Sequence, residues 1–93
     1  HEIEGLLLIA RAQRALRGQD AVDEVEDLLV RAAELIEVTG ALFFQADLHL
    51  EAAEIAGLRG DREIAAREFE RASRAFAERG ASIQSDRAQR KSG

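Results

Sequence analysis

The chain has 93 residues, of which 46% are hydrophobic, and it carries a formal net charge of −5 at pH 7. It has no Cys, which excludes disulfides and thiolate metal sites and fits a reducing compartment. Its negative charge argues against binding to nucleic acid phosphates. The longest apolar run, Leu6 to Ala10, is too short to span a membrane. We therefore expect a small cytoplasmic domain that is not a membrane protein.

The first helix is predicted from about Glu2 to Arg17, where apolar residues recur at helical spacing. We expect its buried side to carry three of them: Leu7, Ala10 and Leu16. Two arginines between them are predicted to be exposed: Arg11 and Arg14. The segment from Gly18 to Asp20 predicts a loop, and Asp20 is a residue that favours the N-cap of the next helix.

The second helix has the clearest buried pattern in the chain. Its apolar residues step by three and four positions, which predicts one continuous buried stripe: Val22, Val25, Leu29, Ala32 and Ile36. Gly40 is predicted to end this helix.

The third and fourth helices are predicted to resemble the first and second. The third spans about residues 41–58, with four residues on one side: Leu42, Ala46, Ala53 and Ala56. Gly60 is predicted to end it, and Asp61 to cap the fourth helix. The fourth helix again has apolar residues at steps of four, three and four: Ala65, Phe69, Ala72 and Phe76. Gly80 is predicted to end that helix, followed by a partly ordered or disordered tail over residues 81–93.

The two halves of the chain partly repeat each other. Four residues of the second helix match four of the fourth at an offset of 40: Leu29, Ala32, Ile36 and Gly40 against Phe69, Ala72, Phe76 and Gly80. This self-similarity predicts an all-α repeat domain over residues 1–80, made of two stacked antiparallel hairpins at about 2–38 and 41–79. A compact four-helix bundle is the alternative, but a closed bundle does not need matching halves.

The second half resembles the tetratricopeptide family. The resemblance is best over residues 46–77, where small residues, a Gly-Asp turn and an aromatic residue follow the family's order: Ala53, Gly60, Asp61, Ala65, Phe69 and Ala72. His49, Ala56 and Ala77 depart from the family's usual Trp, Tyr and Pro. The period near forty resembles the divergent repeats at the C-termini of large bacterial transcriptional regulators and class III nucleotide cyclases. The resemblance implies a protein-interaction module within such a regulator.

Catalytic and metal sites find little support in the sequence. His49 has no carboxylate three or four residues away, so the Glu-x-x-His pattern of carboxylate-bridged metal bundles is absent. We expect His49 to fill a packing position. No Ser lies in a Gly-x-Ser-x-Gly setting. We therefore predict no enzyme activity, no cofactor and no metal.

Three arginines of the fourth helix lie on one stripe: Arg67, Arg71 and Arg74. Glu63 and Glu70 precede two of them by four residues, the favourable orientation for pairs within a helix. We therefore expect a solvated helix face rather than a nucleic acid interface.

In tetratricopeptide arrays the first helices of successive hairpins line a concave groove. By position, the resemblance implies five groove residues: Leu8, Ala12, Asp47, Leu50 and Glu54. This floor is apolar with an acidic edge, so the expected partner is a basic or amphipathic helical segment. The alternatives are that these positions pack against neighbouring repeats of the same chain, that the domain forms a homodimer, or that it is a helical bundle for a small ligand or metal. Phe43 and Phe44 point in different directions on a helix, so we expect one to pack inside the hairpin and the other to face a neighbour.

Overall fold

A computed structural model of the chain describes the backbone of residues 1–92 and the side chains of residues 1–81. Its α-helices are α1 (Glu2–Arg17), α2 (Val22–Thr39), α3 (Gln45–Leu58) and α4 (Arg62–Ser92). Short 3-10 turns cover Gly18–Ala21 and Leu42–Phe44. No strand occurs within residues 1–92. The predicted all-α class is confirmed.

The connection between α1 and α2 differs from the prediction. Instead of a loop, the 3-10 turn Gly18–Ala21 joins them, so helical residues run through 2–39, 42–58 and 62–92 in three stretches rather than four. Gly18 adopts φ 55°, a conformation that favours glycine and lets the chain reverse. Asp20 lies within the turn and does not cap α2, whose N-cap residue is Ala21.

The main core lies between α1 and α2, with Ile55 of α3 closing it. The predicted stripe of α2 is confirmed, because all five of its residues are buried: Val22, Val25, Leu29, Ala32 and Ile36. On α1 the buried residues are Ile3, Leu6, Leu7 and Ala10. The prediction for Leu16 was wrong, since this side chain is 81% exposed. Nine residues separate it from Leu7, and at about 100° per residue they place it on the opposite side of the helix.

Gly40 ends α2 as predicted, in the left-handed conformation with φ 70°. The following 3-10 turn delays the start of α3 to Gln45, so Leu42 is not on the packed side of that helix. The Leu42 side chain is 64% exposed, contrary to the prediction. The other three residues of the predicted side are buried: Ala46, Ala53 and Ala56.

The turn between α3 and α4 follows the prediction. Gly60 has φ 81°, and the Asp61 carboxylate accepts a hydrogen bond from the main-chain nitrogen of Ile64 at 3.2 Å. Of the predicted stripe on α4, the alanines Ala65 and Ala72 are buried. The aromatic residues are less covered: Phe69 is 43% exposed and Phe76 is half-buried. The physical reason is that α4 packs mainly against a single helix, α3.

Gly80 does not end the last helix, because α4 continues through it to Ser92. Its φ is not positive, and a glycine in helical conformation weakens a helix by only about 1 kcal/mol. The predicted partial order of residues 81–93 falls largely outside the described side chains and stays a prediction.

Candidate partner-binding groove

A groove of about 440 Å³ lies between α1 and α3, and we call it the α1–α3 groove. Its lining comes from α1, the second 3-10 turn, α3 and one residue of α4: Glu4, Leu7, Leu8, Arg11, Arg14, Phe43, Phe44, Asp47, Leu50, Glu51, Glu54 and Phe76. Four of the five predicted groove residues are therefore brought together. The fifth, Ala12, is exposed on α1 and does not line the groove.

Helix periodicity explains which residues reach the groove. The lining positions recur every three or four residues along α1 and along α3, with one adjacent pair on each helix, so each helix presents one stripe to the other. The 3-10 turn before α3 then places two rings at one end. Leu8 is 55% exposed although it is a large apolar side chain, which gives the groove an accessible apolar wall.

An ion pair joins α1 to α3 in the floor of the groove. The Arg14 guanidinium donates to Glu51 at 2.7 Å and 3.3 Å, and its Nη1 lies 3.8 Å from the Glu54 carboxylate. Glu51 is only 5% exposed. The sequence predicted Arg14 to be exposed, but a helix wheel of α1 alone does not show that α3 brings a carboxylate to it.

Hydrogen bonding to Glu51 raises the pKa of Arg14 above its ordinary value. A basic group with a raised pKa in the folded state stabilises the fold until the pH rises through that value. Arg14 would therefore lose its charge only at strongly alkaline pH, and it stays positive near neutrality.

Aromatic rings and Arg79 form the end of the groove. Phe44 packs against the core, as predicted for one of these two neighbours, while Phe43 is 56% exposed. That Phe43 faces a neighbouring repeat or a second chain stays a prediction. The two rings meet edge to face with centroids 5.4 Å apart. Arg79 of α4 reaches this end, where its Nη1 lies 3.1 Å from the Asp47 carboxylate.

A second cavity, of about 360 Å³, lies between α2, α3 and α4, and we call it the α2–α4 cavity. Most of its lining is aliphatic: Leu29, Val30, Ala33, Leu48, Ala52, Ile55, Ala56 and Ile64. At its rim Arg59 pairs with Asp23 at 3.0 Å and with Glu26 at 2.5 Å. Those hydrogen bonds, with the one to Asp23 contributing most, raise the pKa of Arg59.

His49 lines the same cavity and pairs with Glu68, with 2.6 Å between Nδ1 and the carboxylate. Sequence spacing does not reveal this partner, because it lies 19 residues away on another helix. His49 is half-buried and hydrogen-bonded, so it does more than fill a packing position. The sequence does contain one sign of a polar role, because His49 stands where the repeat pattern expects an aromatic residue.

Two of the three arginines in the α4 stripe pair within their own helix, in line with the predicted solvated face. Arg74 bonds to Glu70 at 2.5 Å, as the spacing predicted, and Arg71 bonds to Glu68 at 2.9 Å. The expected pair of Arg67 with Glu63 does not occur among the described side chains.

Within the described part of the chain, no group of three or more metal-ligating side chains is close enough to hold an ion. None of the helices described combines the length and apolar character that crossing a bilayer requires.

Comparisons with family models, with curated proteins and with solved structures gave no match to this chain. The tetratricopeptide resemblance therefore rests on the residues quoted for it.

Proposed function

We propose that this chain is a non-catalytic module for protein–protein interaction or domain coupling, built from two stacked hairpins of tetratricopeptide-like type. It binds a basic or amphipathic helical segment in the α1–α3 groove. Its context is a larger cytoplasmic regulatory protein of bacteria. The observation that carries the proposal is that four of the five predicted groove residues line one groove.

The order of helix packing supports two stacked hairpins. Helix α1 packs against α2, α2 against α3, and α3 against α4, and α1 also contacts α3. A closed four-helix bundle would in addition pack its first helix broadly against its last. In a stacked pair of hairpins, α1 and α3 are the first helices and lie side by side, which is where the groove lies.

The lining supports an amphipathic partner with a basic polar face. Leu8 and Leu50 provide an apolar wall for the partner's apolar side. Four carboxylates and two guanidinium groups line the groove, which leaves an excess of negative charge. Glu4 is exposed and the Glu54 side chain is 39% exposed, so both can meet basic residues of a bound helix.

A defined peptide tests this proposal. We would use a fluorescent amphipathic helix of leucine and arginine, about as long as the 14-residue α3, and measure its affinity by fluorescence anisotropy. Leu8→Ala should weaken binding about tenfold, because it removes an apolar contact at the groove wall. On the unmodified chain, a peptide with glutamate in place of arginine should bind at least about tenfold more weakly than the arginine peptide does.

Leu16→Ala is the matched control for Leu8→Ala. Both change an exposed leucine on α1, but Leu16 does not line the groove. Equal loss of affinity in the two variants, or preference for the acidic peptide, would place the binding surface elsewhere.

Homo-oligomerisation is the second candidate function, favoured by large exposed apolar side chains on α1 and the turn before α3: Leu8, Ile9, Leu16, Leu42 and Phe43. Molar mass measured by light scattering across a hundredfold dilution distinguishes the two. A dimer that dissociates together with loss of helicity supports this candidate, whereas a helical monomer at all concentrations supports the free groove.

A small-ligand function is favoured only by the α2–α4 cavity. Its volume of about 360 Å³ is within the range of ligand pockets. An apolar dye such as anilinonaphthalene sulfonate provides the check, since dye fluorescence that Val30→Phe suppresses would locate binding there.

A further inference from the structure

Arg79 occupies a site built from two aromatic rings and a carboxylate. Its guanidinium carbon lies 4.4 Å from the ring centroid of Phe43 and 4.6 Å from that of Phe76. The same group donates to the Asp47 carboxylate at 3.1 Å and to the main-chain oxygen of Phe43 at 3.3 Å. Ring faces attract cations, and a carboxylate adds a charge-assisted hydrogen bond. Together these three residues form a binding site for a guanidinium group.

This site belongs to the groove. Phe43, Asp47 and Phe76 all line the α1–α3 groove, whereas Arg79, which lies on α4 like Phe76, does not. We propose that the site recognises an arginine side chain of the partner helix, and that Arg79 occupies it as an intramolecular competitor when no partner is bound. This inference rests on the proposed function, because the partner's arginine is presented by a helix lying in that groove.

The contacts that hold Arg79 are of a kind that a partner can replace. Phe43 is 56% exposed and the Asp47 side chain 43% exposed, so solvent reaches the site. Ion pairs and cation–π contacts at such positions are individually weak. The side chain of Arg79 can rotate away without movement of α4, since its contacts to these residues are made by the end of the side chain. An incoming guanidinium then makes the same contacts.

A guanidinium fits this site better than an ammonium group. Its flat face stacks on an aromatic ring while its edge donates to a carboxylate, and a lysine cannot make both contacts with the same geometry. The site therefore selects partner arginine over partner lysine.

Competition by Arg79 has a measurable consequence. The apparent affinity for the partner is reduced by the fraction of molecules in which the site is free. Arg79→Gln keeps part of the side-chain stem over the rings but removes the charge. If Arg79 fills the site most of the time, this variant should bind the leucine–arginine peptide about fivefold more tightly than the unmodified chain. Loss of a purely structural contact would instead weaken binding.

The control variant is Arg74→Gln on the same helix, because Arg74 pairs with Glu70 and makes no cation–π contact with either ring among the described side chains. The control peptide replaces each arginine by citrulline, which has nearly the same shape but no charge. We expect the gain in affinity only for Arg79→Gln and only with the arginine peptide. Equal affinity of Arg79→Gln and the unmodified chain, or a loss with helicity unchanged, would overturn the inference.

A measurement on the unmodified chain covers the case in which Arg79→Gln fails to fold. The two rings shift the NMR signals of the Arg79 side-chain methylene protons upfield, and displacement by the peptide should return them towards ordinary values. Signals that keep their upfield position in the saturated complex overturn the inference.

These outcomes separate the two proposals. Binding of the arginine peptide that depends on Leu8 but not on Arg79 overturns only the competition by Arg79. Failure of the peptide to bind any form of the chain overturns both.

Discussion

The two halves of this molecule differ in the size of the side chains that pack inside them. Between α1 and α2 the buried residues are mostly large and aliphatic: Ile3, Leu6, Leu7, Val22, Val25, Leu29 and Ile36. Between α3 and α4 they are mostly alanines: Ala46, Ala53, Ala56, Ala65 and Ala72. The first half therefore depends on the area of apolar surface removed from water, and the second on close approach of two helices.

The stripes of α2 and α4 show the difference most directly. Both have apolar residues at nearly the same spacing, yet α2 buries its whole stripe while α4 leaves Phe69 43% exposed. Helix α2 packs against both α1 and α3, whereas α4 packs mainly against α3. Periodicity gives the direction in which a helix packs, and the number of neighbouring helices decides how completely each side chain is covered.

Substitutions in the first half should cause the greatest loss of stability. Leu6→Ala should lower the free energy of unfolding by about 3 kcal/mol, because it leaves a cavity among large aliphatic side chains. Leu16→Ala on the same helix is 81% exposed and should change it by less than about 0.5 kcal/mol. Urea denaturation followed by circular dichroism measures both free energies of unfolding. Similar losses in the two variants would contradict the assignment of Leu6 to the buried face of α1 and of Leu16 to its exposed face.

The ion pair between α1 and α3 links the two halves. Removing its arginine should cost more stability than neutralising its carboxylate. Arg14→Met leaves the buried Glu51 carboxylate without its partner and should cost about 2 kcal/mol. Glu51→Gln keeps an acceptor for Arg14, which can also turn towards Glu54, and should cost about 1 kcal/mol. Chemical denaturation of both variants shows which of them loses more free energy of unfolding. A larger loss for Glu51→Gln would contradict the burial of that carboxylate.

The second half should be sensitive to enlargement. Ala72→Leu should lower the free energy of unfolding by about 1.5 kcal/mol, because the added atoms force α3 and α4 apart. Ala77→Leu, at an exposed position of the same helix, should be neutral within about 0.5 kcal/mol. Thermal unfolding compares the pair. A neutral Ala72→Leu would show that α3 and α4 are not closely packed there.

The smallest changes in stability are expected at two glycines that occupy matching positions in the sequence repeat. The two changes should have opposite signs. Gly40 has φ 70°, so Gly40→Ala should cost about 1 kcal/mol. Gly80 lies within α4, so Gly80→Ala should stabilise by about 0.5 kcal/mol. An added Cβ meets no atom within 4 Å at either position, so backbone conformation alone sets the sign. Differential scanning calorimetry tests this, and a destabilising Gly80→Ala would contradict the continuous helix.

Four of the twelve residues that line the candidate groove were anticipated from the positions that the tetratricopeptide resemblance implies. Leu8 lay at a position implied by the repeat and reaches the groove, whereas Ala12, one turn further, does not. Arg79 and Phe76 could not be anticipated there, since they come from α4 and meet the groove only through packing across helices.

Sequence alone is enough to predict the all-α class, the buried stripe of α2, and the breaks at Gly40 and Gly60, because these follow from periodicity and backbone conformation within a few residues. It is not enough to predict which charges meet, as in Arg14 with Glu51 and His49 with Glu68. Contacts between residues far apart in sequence depend on how the helices pack, and the local spacing of residues does not predict that packing.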